Sequence, residues 1–494
     1  MDHLSYDVLI VGSGAAGLRA SIAAKGQGLD VCVISKGTPG KGTSTILSGG
    51  VFAATREHAS PESHRVRTLQ AGRGINQEEL VRILVEEAPL RLKELLEWGI
   101  KGELHYGYLY AQGRPPTWGR EIVDCLVTRA RAMGVRFIPR LAVTELKFRD
   151  GVVGLTAYSA LRGRWTALTA GALILAAGGA GALYLKHDNP QRMLGDGYAL
   201  ALDAGAELQD LEFVQFYPLC LAERGAPPLV IPPRLAELGR LYNHRGEEIL
   251  VKYGIEERPA AERARDRLSQ ALFREIYGEE GEVWLDIRHV SNKAWDRDPF
   301  SGSMRDLLGE RYQAKHRPVR VAPMAHHSMG GVCIDANGAT SVPGLFAAGE
   351  VTGGLHGANR MGGNALSETQ VFGARAGAQA AKWAKGTSIR DREQVVKDLA
   401  QPLTESQPEG KRSTLHRLKE RLQRILWEKG GIVRERGGLI HALELVDAIQ
   451  QEVRAAPLGD DPKSVQEKLD LQRGVRAAAL ILEAALRREE SRGA

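Results

Sequence analysis

An α/β fold built on a parallel sheet is what this sequence predicts, and three observations carry the prediction. A short apolar run opens the chain and passes through a glycine-rich turn into a helical pattern. Two later apolar runs end in the same kind of turn, and after Lys385 glycine-rich turns give way to helical periodicity. The 494 residues include 57 glycines, 21 prolines and four cysteines, with 43% hydrophobic and 26% charged residues. That composition is ordinary for a globular chain long enough for two or more domains, with glycine as the outlier.

Tyr6 to Val11 reads as a buried strand, Gly12-Ser13-Gly14-Ala15-Ala16-Gly17 as a tight turn that opens a helix, and Leu29 to Ile34 as a second buried strand. Together they make a βαβ unit. Ala172 to Ala177 precedes Gly178-Gly179-Ala180-Gly181, and Gly344 to Ala348 precedes Gly349-Glu350. One nucleotide-binding sheet assembled from separated segments accounts for all of these strands. From about Tyr217 to Val321 prolines and charges increase, as in Ala226-Pro227-Pro228, which predicts an inserted domain. Farther on, Leu415, Leu418, Leu422, Ile425 and Leu426 share one helical face that stops at Gly430-Gly431. Leu439, Leu443, Val446 and Ile449 repeat the pattern, and Val465 to Arg488 forms a third helix. Neither an internal repeat nor a low-complexity tract is present.

Sixty-six basic against 60 acidic residues leave a surplus of +6, too small to mark a nucleic-acid binder. Cys32, Cys125, Cys220 and Cys333 lie far apart with no CxxC pair. This excludes a disulfide scaffold and a metal or cluster site held by the chain's own closely spaced thiolates, and it predicts reduced thiols inside the cell. No basic-apolar leader precedes the first strand and no apolar run reaches ~18 residues. The expectation is a cytoplasmic protein with neither an export signal nor a membrane span.

A pyrophosphate needs backbone N–H groups at close range and a helix N-terminus to balance its charge; side chains at Gly12 and Gly14 would block that approach. The acidic residue usual at the end of the second strand is absent, and Ser35-Lys36 stands there. A serine hydroxyl binds a ribose hydroxyl less strongly than a carboxylate does. Lys36 to Gly50 (KGTPGKGTSTILSGG) is too polar and glycine-rich for a helix, and reads either as a surface loop or as a backbone wall along an extended cofactor.

The runs YDVLIVGSGAAGLRA, SKG…TSTILSGG, GDGYALALDAGAEL, EFVQFYP, ERARDRLSQA, APMAHHSMGGVCID, GLFAAGEVTGGLHGANRMGGNALSE and EESRGA follow one another in fixed order. In them the chain resembles, almost end to end, the flavoprotein subunits of fumarate reductase and succinate dehydrogenase and their relative L-aspartate oxidase. The resemblance implies a Rossmann-like FAD-binding domain over 1–216 and 326–385, an inserted α+β capping domain over 217–325, and a C-terminal helical bundle over 386–494. It implies FAD as cofactor and no metal. Thr43-Ser44-Thr45 stands where the membrane-bound relatives carry the histidine linked to flavin, so the FAD is expected to be non-covalent.

Carried over residue by residue, Gly12, Gly14, Ala15 and Gly17 would hold the pyrophosphate and Ser35 and Lys36 the adenosine side. Gly42, Thr43, Ser44, Gly49 and Gly50 would surround the isoalloxazine, with Val143, Gly178, Gly179, Asp196, Glu350, Asn364 and Leu366 along the cofactor. Arg265 matches the arginine that protonates the substrate carbon, and His326 and Arg360 match the pair that holds a substrate carboxylate. Hydride delivery to one alkene carbon leaves the other carbanion-like, so cations at the carboxylate let that charge delocalise.

Departures from the pattern narrow the substrate. The family's carboxylate-binding histidine is Tyr217, a candidate site residue whose neutral phenol can donate one hydrogen bond, and its threonine is Leu219; the relay glutamate and arginine are Pro232 and Leu235, with Arg234 one position away as a substitute if the loop shifts. Each lost charged contact costs about 1.5–3 kcal/mol. The expected substrate is an unsaturated or saturated acid held by one carboxylate, with hydride moving between flavin N5 and the adjoining carbon–carbon bond. An imine-forming L-aspartate oxidase and an electron-transfer or assembly flavoprotein with a decayed site are the alternatives. Residues 411–436 carry nine basic and three acidic side chains. They read either as a solvated helix face or as the dock for a separate iron–sulfur electron-transfer subunit, which could hold the protein at the cytoplasmic face of a membrane.

Overall fold

The computed structural model describes residues 2–54, 60–278, 281–388, 395, 399, 412–457 and 461–493. At its centre the parallel strands Arg136–Pro139, Val31–Ser35, Asp2–Val11 and Arg164–Leu175 lie side by side in that order. Leu345–Ala347 takes the free edge of Arg164–Leu175 at its carboxyl end. The antiparallel strands Val152–Ser159 and Leu141–Arg149 extend the sheet from the other end of that same edge. Val11 is level with Ile34 and with Leu175, and Leu175 with Ala347. All three glycine turns therefore open at one edge of the sheet, the carboxyl edge at which α/β proteins bind nucleotides.

Two helices lie against each other beside this sheet. Ala15–Lys25 is buried along nearly its whole length, and Asn364–Ala384 crosses it through Gly373 and Gly377. A Cβ on Gly377 would stand 2.3 Å from the Ala20 carbonyl oxygen, and one on Gly373 would stand 2.8 Å from that of Ala16. The contact is backbone to backbone, so these glycines set how close the helices come. Within the polar segment 36–50 the glycine-free stretch Ser44–Leu47 forms one helical turn, which corrects the expectation of a helix-free loop.

The inserted region forms a four-stranded antiparallel sheet in the order Val214–Leu221, Val319–Ser328, Val283–Asp286 and Arg240–Asn243. Its core includes Leu219, Ile231, Leu235, Leu285 and Trp295. Both expected domain borders, at 216/217 and 325/326, fall inside strands that pair with each other, with Phe216 opposite Ala325 and Tyr217 opposite Met324. One ladder, with register shifts at Gln215/Phe216 and Tyr217/Cys220, thus spans both borders. A small antiparallel unit, Gly102–His105 with Tyr108–Ala111 and Val51–Ala53, stands beside it.

The C-terminal region contains the helices Arg412–Lys429, Arg436–Ala455 and Pro462–Arg487. Leu415, Leu418, Leu422, Ile425, Leu426, Leu439, Val446 and Ile449 are buried, as the periodicity predicts. The last helix starts where the Asp461 carboxylate accepts from the backbone N–H groups of Lys463 (2.9 Å) and Ser464 (3.2 Å). Lys411 lies outside the described residues. Among the described residues no helix is long and apolar enough to cross a membrane.

Gly377→Ala is expected to lower stability by about 1–3 kcal/mol, because backbone cannot yield to the added methyl. Gly437→Ala, with nothing within 4 Å of the new Cβ, is expected to be neutral or stabilising by up to about 1 kcal/mol. Thermal unfolding of the two variants checks the contrast.

Candidate flavin and substrate site

A cavity of ≈ 940 Å³ runs along the carboxyl edge of the sheet, from Ser35 and Lys36 past Gly12, Gly14 and Ala15 to Gly49, His326 and Arg360. Two helix N-termini meet it, one at Gly14 and the other at Gly363; neither glycine offers a side-chain cap, and at the first the Ala15 N–H donates to Thr45 Oγ1 (3.1 Å). Such ends attract anions and electron-rich carbonyls. A Cβ on Gly14 would meet nothing nearer than Thr45 Oγ1 at 3.5 Å, so the protein leaves the space above this turn open. Buried Asp196 Oδ1 has no hydrogen-bond partner. An elongated dinucleotide with a pyrophosphate at its middle and hydroxyls toward Asp196 fits these features.

Gly12 corrects a sequence expectation. It sits at φ +119°, and a Cβ there would lie 2.0 Å from the Ala176 carbonyl oxygen. The constraint is first the packing of two strand ends and only then access for a ligand. Gly17, Gly50, Gly179 and Asn364 do not line the cavity, and each supports it from behind. A Cβ on Gly17 would stand 2.1 Å from the Gly12 oxygen, and one on Gly179 would stand 2.5 Å from Glu350 Oε1. Gly50 turns the chain at φ +70°. Asn364 is fully buried, accepting from His64 Nε2 (2.7 Å) and donating to Thr68 Oγ1 (2.9 Å), which fixes the start of its helix. Gly42, Thr43, Ser44, Val143, Gly178, Glu350 and Leu366 do face the cavity. Thr43 Oγ1 donates to the Gly40 carbonyl (2.9 Å) and Ser44 Oγ to Asn189 Oδ1 (3.2 Å).

At the adenosine end, Ser35 Oγ donates to the Gly37 carbonyl at 2.9 Å. Lys36 is paired with Asp196 and, at 2.9 Å, with Asp470 of the last helix; Arg192 grips the other oxygen of Asp470 at 2.8 Å. Burial lowers the Lys36 pKa to about 8 against the opposing pull of Asp470. Asp470 escapes a sequence reading because it lies within a long amphipathic helix, where a lone carboxylate reads as a solvated face.

At the opposite end Gln215 organises the cations. Its Oε1 accepts from Arg265 Nη1 (3.2 Å) and Arg360 Nη2 (3.0 Å), while its amide nitrogen donates to Asn359 Oδ1 (2.7 Å) and the Arg360 carbonyl (2.9 Å). Arg265 Nε donates to the Ala261 carbonyl at 3.0 Å. Among the described residues no carboxylate bonds either guanidinium, and buried Arg360 Nε has no partner. Burial, then the neighbouring Arg265 charge, lower the Arg360 pKa to about 9. His326 Nδ1 donates to Asp188 Oδ2 at 2.6 Å, which leaves its other ring nitrogen outside that bond. Gln215 and Asp188 were not among the expected site residues. Gln215 does lie inside the quoted EFVQFYP run; Asp188 has no sequence signal.

Tyr217 does not replace the missing histidine. Its hydroxyl donates to the Ile231 carbonyl (2.7 Å), and its ring packs 5.2 Å from the Arg265 guanidinium and 5.6 Å from the His326 ring. Burial pushes the phenol pKa up, so it stays neutral. Leu219 and Leu235 are buried in the cap core, and Pro232 lines the cavity. Behind the clamp, Glu350 Oε1 accepts from Ser328 N–H at 3.0 Å, and burial raises its pKa to about 7. His327, His356 and Glu368 form a buried cluster nearby, with His356 Nε2 and Glu368 Oε2 2.9 Å apart. Burial and the Arg360 charge hold His327 neutral.

A glycine-turn sheet, two helix N-termini at glycines and a cationic clamp at the far end define a dinucleotide-dependent redox protein that acts on an anion. Residues 7–366 match the family described as FAD binding domain, and residues 419–494 match that described as fumarate reductase flavoprotein C-term. A fumarate reductase (CoM/CoB) chain of Methanothermobacter marburgensis is 35% identical, over 99% of this chain and 93% of that one. L-aspartate oxidase of Streptomyces coelicolor is 34% identical, over 99% and 88%. A mutant form of FrdA from E. coli quinol fumarate reductase superposes with a TM-score of 0.88 at 27% identity, covering 100% of this chain and 91% of that one. The chain belongs to the FAD binding domain family and, within it, to the fumarate reductase/succinate dehydrogenase flavoprotein type. It is an FAD-dependent oxidoreductase acting on CH–CH bonds.

Asp470→Asn leaves Lys36 with one carboxylate partner. FAD affinity, measured by titrating the apoprotein, is expected to fall roughly tenfold, in line with about 1.5 kcal/mol for one charge-assisted contact. Unchanged affinity would remove Asp470 from the cofactor site.

Proposed function

We propose that this flavoprotein reduces an α,β-unsaturated acid that it holds by one carboxylate, and that it does not use plain fumarate as its main substrate. The carrying observation is Arg360, a buried guanidinium with no carboxylate bonded to it among the described residues, beside a second cation, Arg265. An arriving carboxylate supplies the missing anion. Bound FAD supplies the hydride chemistry at N5. Arg360 and His326 would hold the carboxylate and draw developing negative charge into it, and Asp188 would keep the His326 ring oriented. Arg265, held by Gln215 and the Ala261 carbonyl, would deliver the proton to the carbon next to the carboxylate and regain it from water. A single-carboxylate reading is supported by the Tyr217 hydroxyl being already used and by Leu219 and Leu235 lying in the cap core outside the cavity, although Arg67, Arg234 and Arg263 line it elsewhere.

With dithionite-reduced enzyme under anaerobic conditions, a monocarboxylic enoate is expected to reoxidise the flavin faster than fumarate by roughly ten- to a hundredfold in kcat/KM, the worth of one lost charged contact. Arg360→Gln should lower turnover of every acid by about a hundredfold with FAD content retained. Turnover of fumarate at least equal to the enoate would overturn the substrate assignment. The L-aspartate oxidase-like reading requires peroxide from L-aspartate in air, and the missing contacts for a second carboxylate predict none.

An electron-transfer subunit is the proposed source of reducing equivalents. Its dock is the outer face of helix Arg412–Lys429, where Arg417, Arg421 and Arg424 are exposed at a spacing that puts them on one side. The basic surplus of this segment is smaller at the surface than in the sequence. Lys419 Nζ turns in to the Gln191 carbonyl (2.7 Å) and Arg434 to that of Glu212 (2.8 Å), while Arg421 pairs with Glu452. Arg417→Glu/Arg424→Glu is expected to abolish co-purification of the partner from the native host, and wild-type association should weaken with salt. Retention of the partner by the double variant would place the dock elsewhere.

A further inference from the structure

We propose that Arg73 is a positioning residue for the reduction: through Asp266 it sets Arg265, carried by the cap, against Arg360, carried by the sheet side. The proposal rests on the roles given above to those two arginines, and it adds the residue that holds them in place. Arg73 stands in the turn 72–77 between the helices Pro61–Ala71 and Glu78–Glu97, at φ +57°. A large side chain is kept there in the left-handed region, where glycine is the easy choice. Two sets of contacts, one to each side of the seam, account for it.

On the sheet side the turn is fastened by backbone to the segment that leads into Arg360. The Ala358 N–H donates to the Gly72 carbonyl (2.9 Å), the Gln77 N–H to that of Gly354 (2.7 Å), and Asn76 Nδ2 to that of Leu355 (2.8 Å). A Cβ on Gly357 would stand 2.5 Å from the Gly72 oxygen, so the two backbones touch. Ile75 packs with Phe213, Met329 and Ala358. Arg360 comes two residues after Ala358, and the turn and that arginine therefore keep a fixed relation.

On the cap side the turn reaches across by charge. Arg73 Nη2 donates to both oxygens of Asp266, at 3.0 and 2.9 Å. Asp266 follows Arg265 at the start of the helix Arg265–Phe273, and its side chain is only 7% exposed, so its pairing is not a solvated surface contact. Among the described residues this is the one ion pair that ties the helix to a segment outside the cap, since Arg267 pairs with Glu257 within it. Arg265 itself is held by neutral oxygens, of Ala261 and Gln215, and it faces the like charge of Arg360 across the seam. Like charges push cap and sheet apart while no anion lies between them, and an opposite pair one residue along the helix offsets that push. Arg73 thus reaches both cations, Arg360 through backbone and Arg265 through its neighbour.

The test uses the dithionite-reduced holoenzyme with crotonate and fumarate as anaerobic oxidants, and follows whichever acid the wild type turns over faster. Arg73→Gln is expected to lower kcat by about ten- to a hundredfold, the order of loss when a reacting group is misplaced by about 1 Å. The solvent deuterium isotope effect on kcat should rise, because Arg265 delivers the proton. The backbone contacts toward Arg360 stay, so FAD content and the binding of butanoate to the oxidised enzyme, read by calorimetry, should hold near wild type. Arg73→Lys keeps one charged donor and should recover part of the rate. Arg73→Gln/Asp266→Asn replaces a buried ion pair by neutral partners and should lose no more than the worse single variant, since both changes remove one interaction. Multiplied losses in the double variant overturn the proposal, as do a wild-type rate in Arg73→Gln or a joint fall of kcat, FAD content and butanoate binding. Arg265→Gln separates the two levels. If it turns over like the wild type, or if neither acid reoxidises the wild-type flavin faster than buffer, the reading of the clamp fails and the positioning role falls with it. If Arg265→Gln is impaired and Arg73→Gln is not, the positioning role alone is overturned.

Discussion

Gln215 Oε1 accepts from Arg265 and from Arg360, and one neutral amide oxygen cannot balance two buried guanidinium charges. The site therefore favours an anion, because the carboxylates nearby, Glu350, Asp188 and Glu368, act on Arg360 through space and none of them bonds either guanidinium. The ladder between Val214–Leu221 and Val319–Ser328 sets Gln215 opposite His327, which brings His326 to the same end of the cavity. The helix Arg265–Phe273 presents Arg265 from the cap side, and the turn before Asn364–Ala384 presents Arg360 from the sheet side. Cap and sheet each supply one guanidinium, so the clamp depends on the seam between them.

The same constraint explains the neutral groups nearby. Burial raises the Glu350 pKa to about 7, and burial together with the Arg360 charge lowers that of His327. A carboxylate fully ionised against Arg360 would compete with the substrate for the clamp. Glu350, bonded to the Ser328 N–H and backed by Gly179, faces the cavity without closing a salt bridge on the arginine.

Much of the fold was legible because its signals are local. An apolar run followed by glycine marks a strand end, and the buried faces of the last helices follow from a spacing of three and four. Recognition of the runs around Arg265, His326 and Arg360 also placed those residues at one cavity, as the structure does. What the sequence hid is pairwise and long-range. That Tyr217 directs its hydroxyl to Ile231 depends on where a cap loop returns, and that Asp470 reaches Lys36 depends on how a distant helix docks. The basic segment misled for the same reason, because a count of charges does not tell which side chains turn inward, as Lys419 and Arg434 do.

The contact between Lys36 and Asp470 bears on how the molecule is made. The second strand leaves the ribosome early and the last helix among the final residues of the described chain, yet Asp470 of that helix holds Lys36, which lines the cavity at the end of the strand. Arg492 reaches back to the Arg73 carbonyl (2.8 Å), and Gly493 lies against Ala358 in the turn that carries Arg360. During synthesis the βαβ unit can fold while Lys36 still lacks its Asp470 partner. The support of that end of the cavity is therefore assembled only when the helix Pro462–Arg487 has docked.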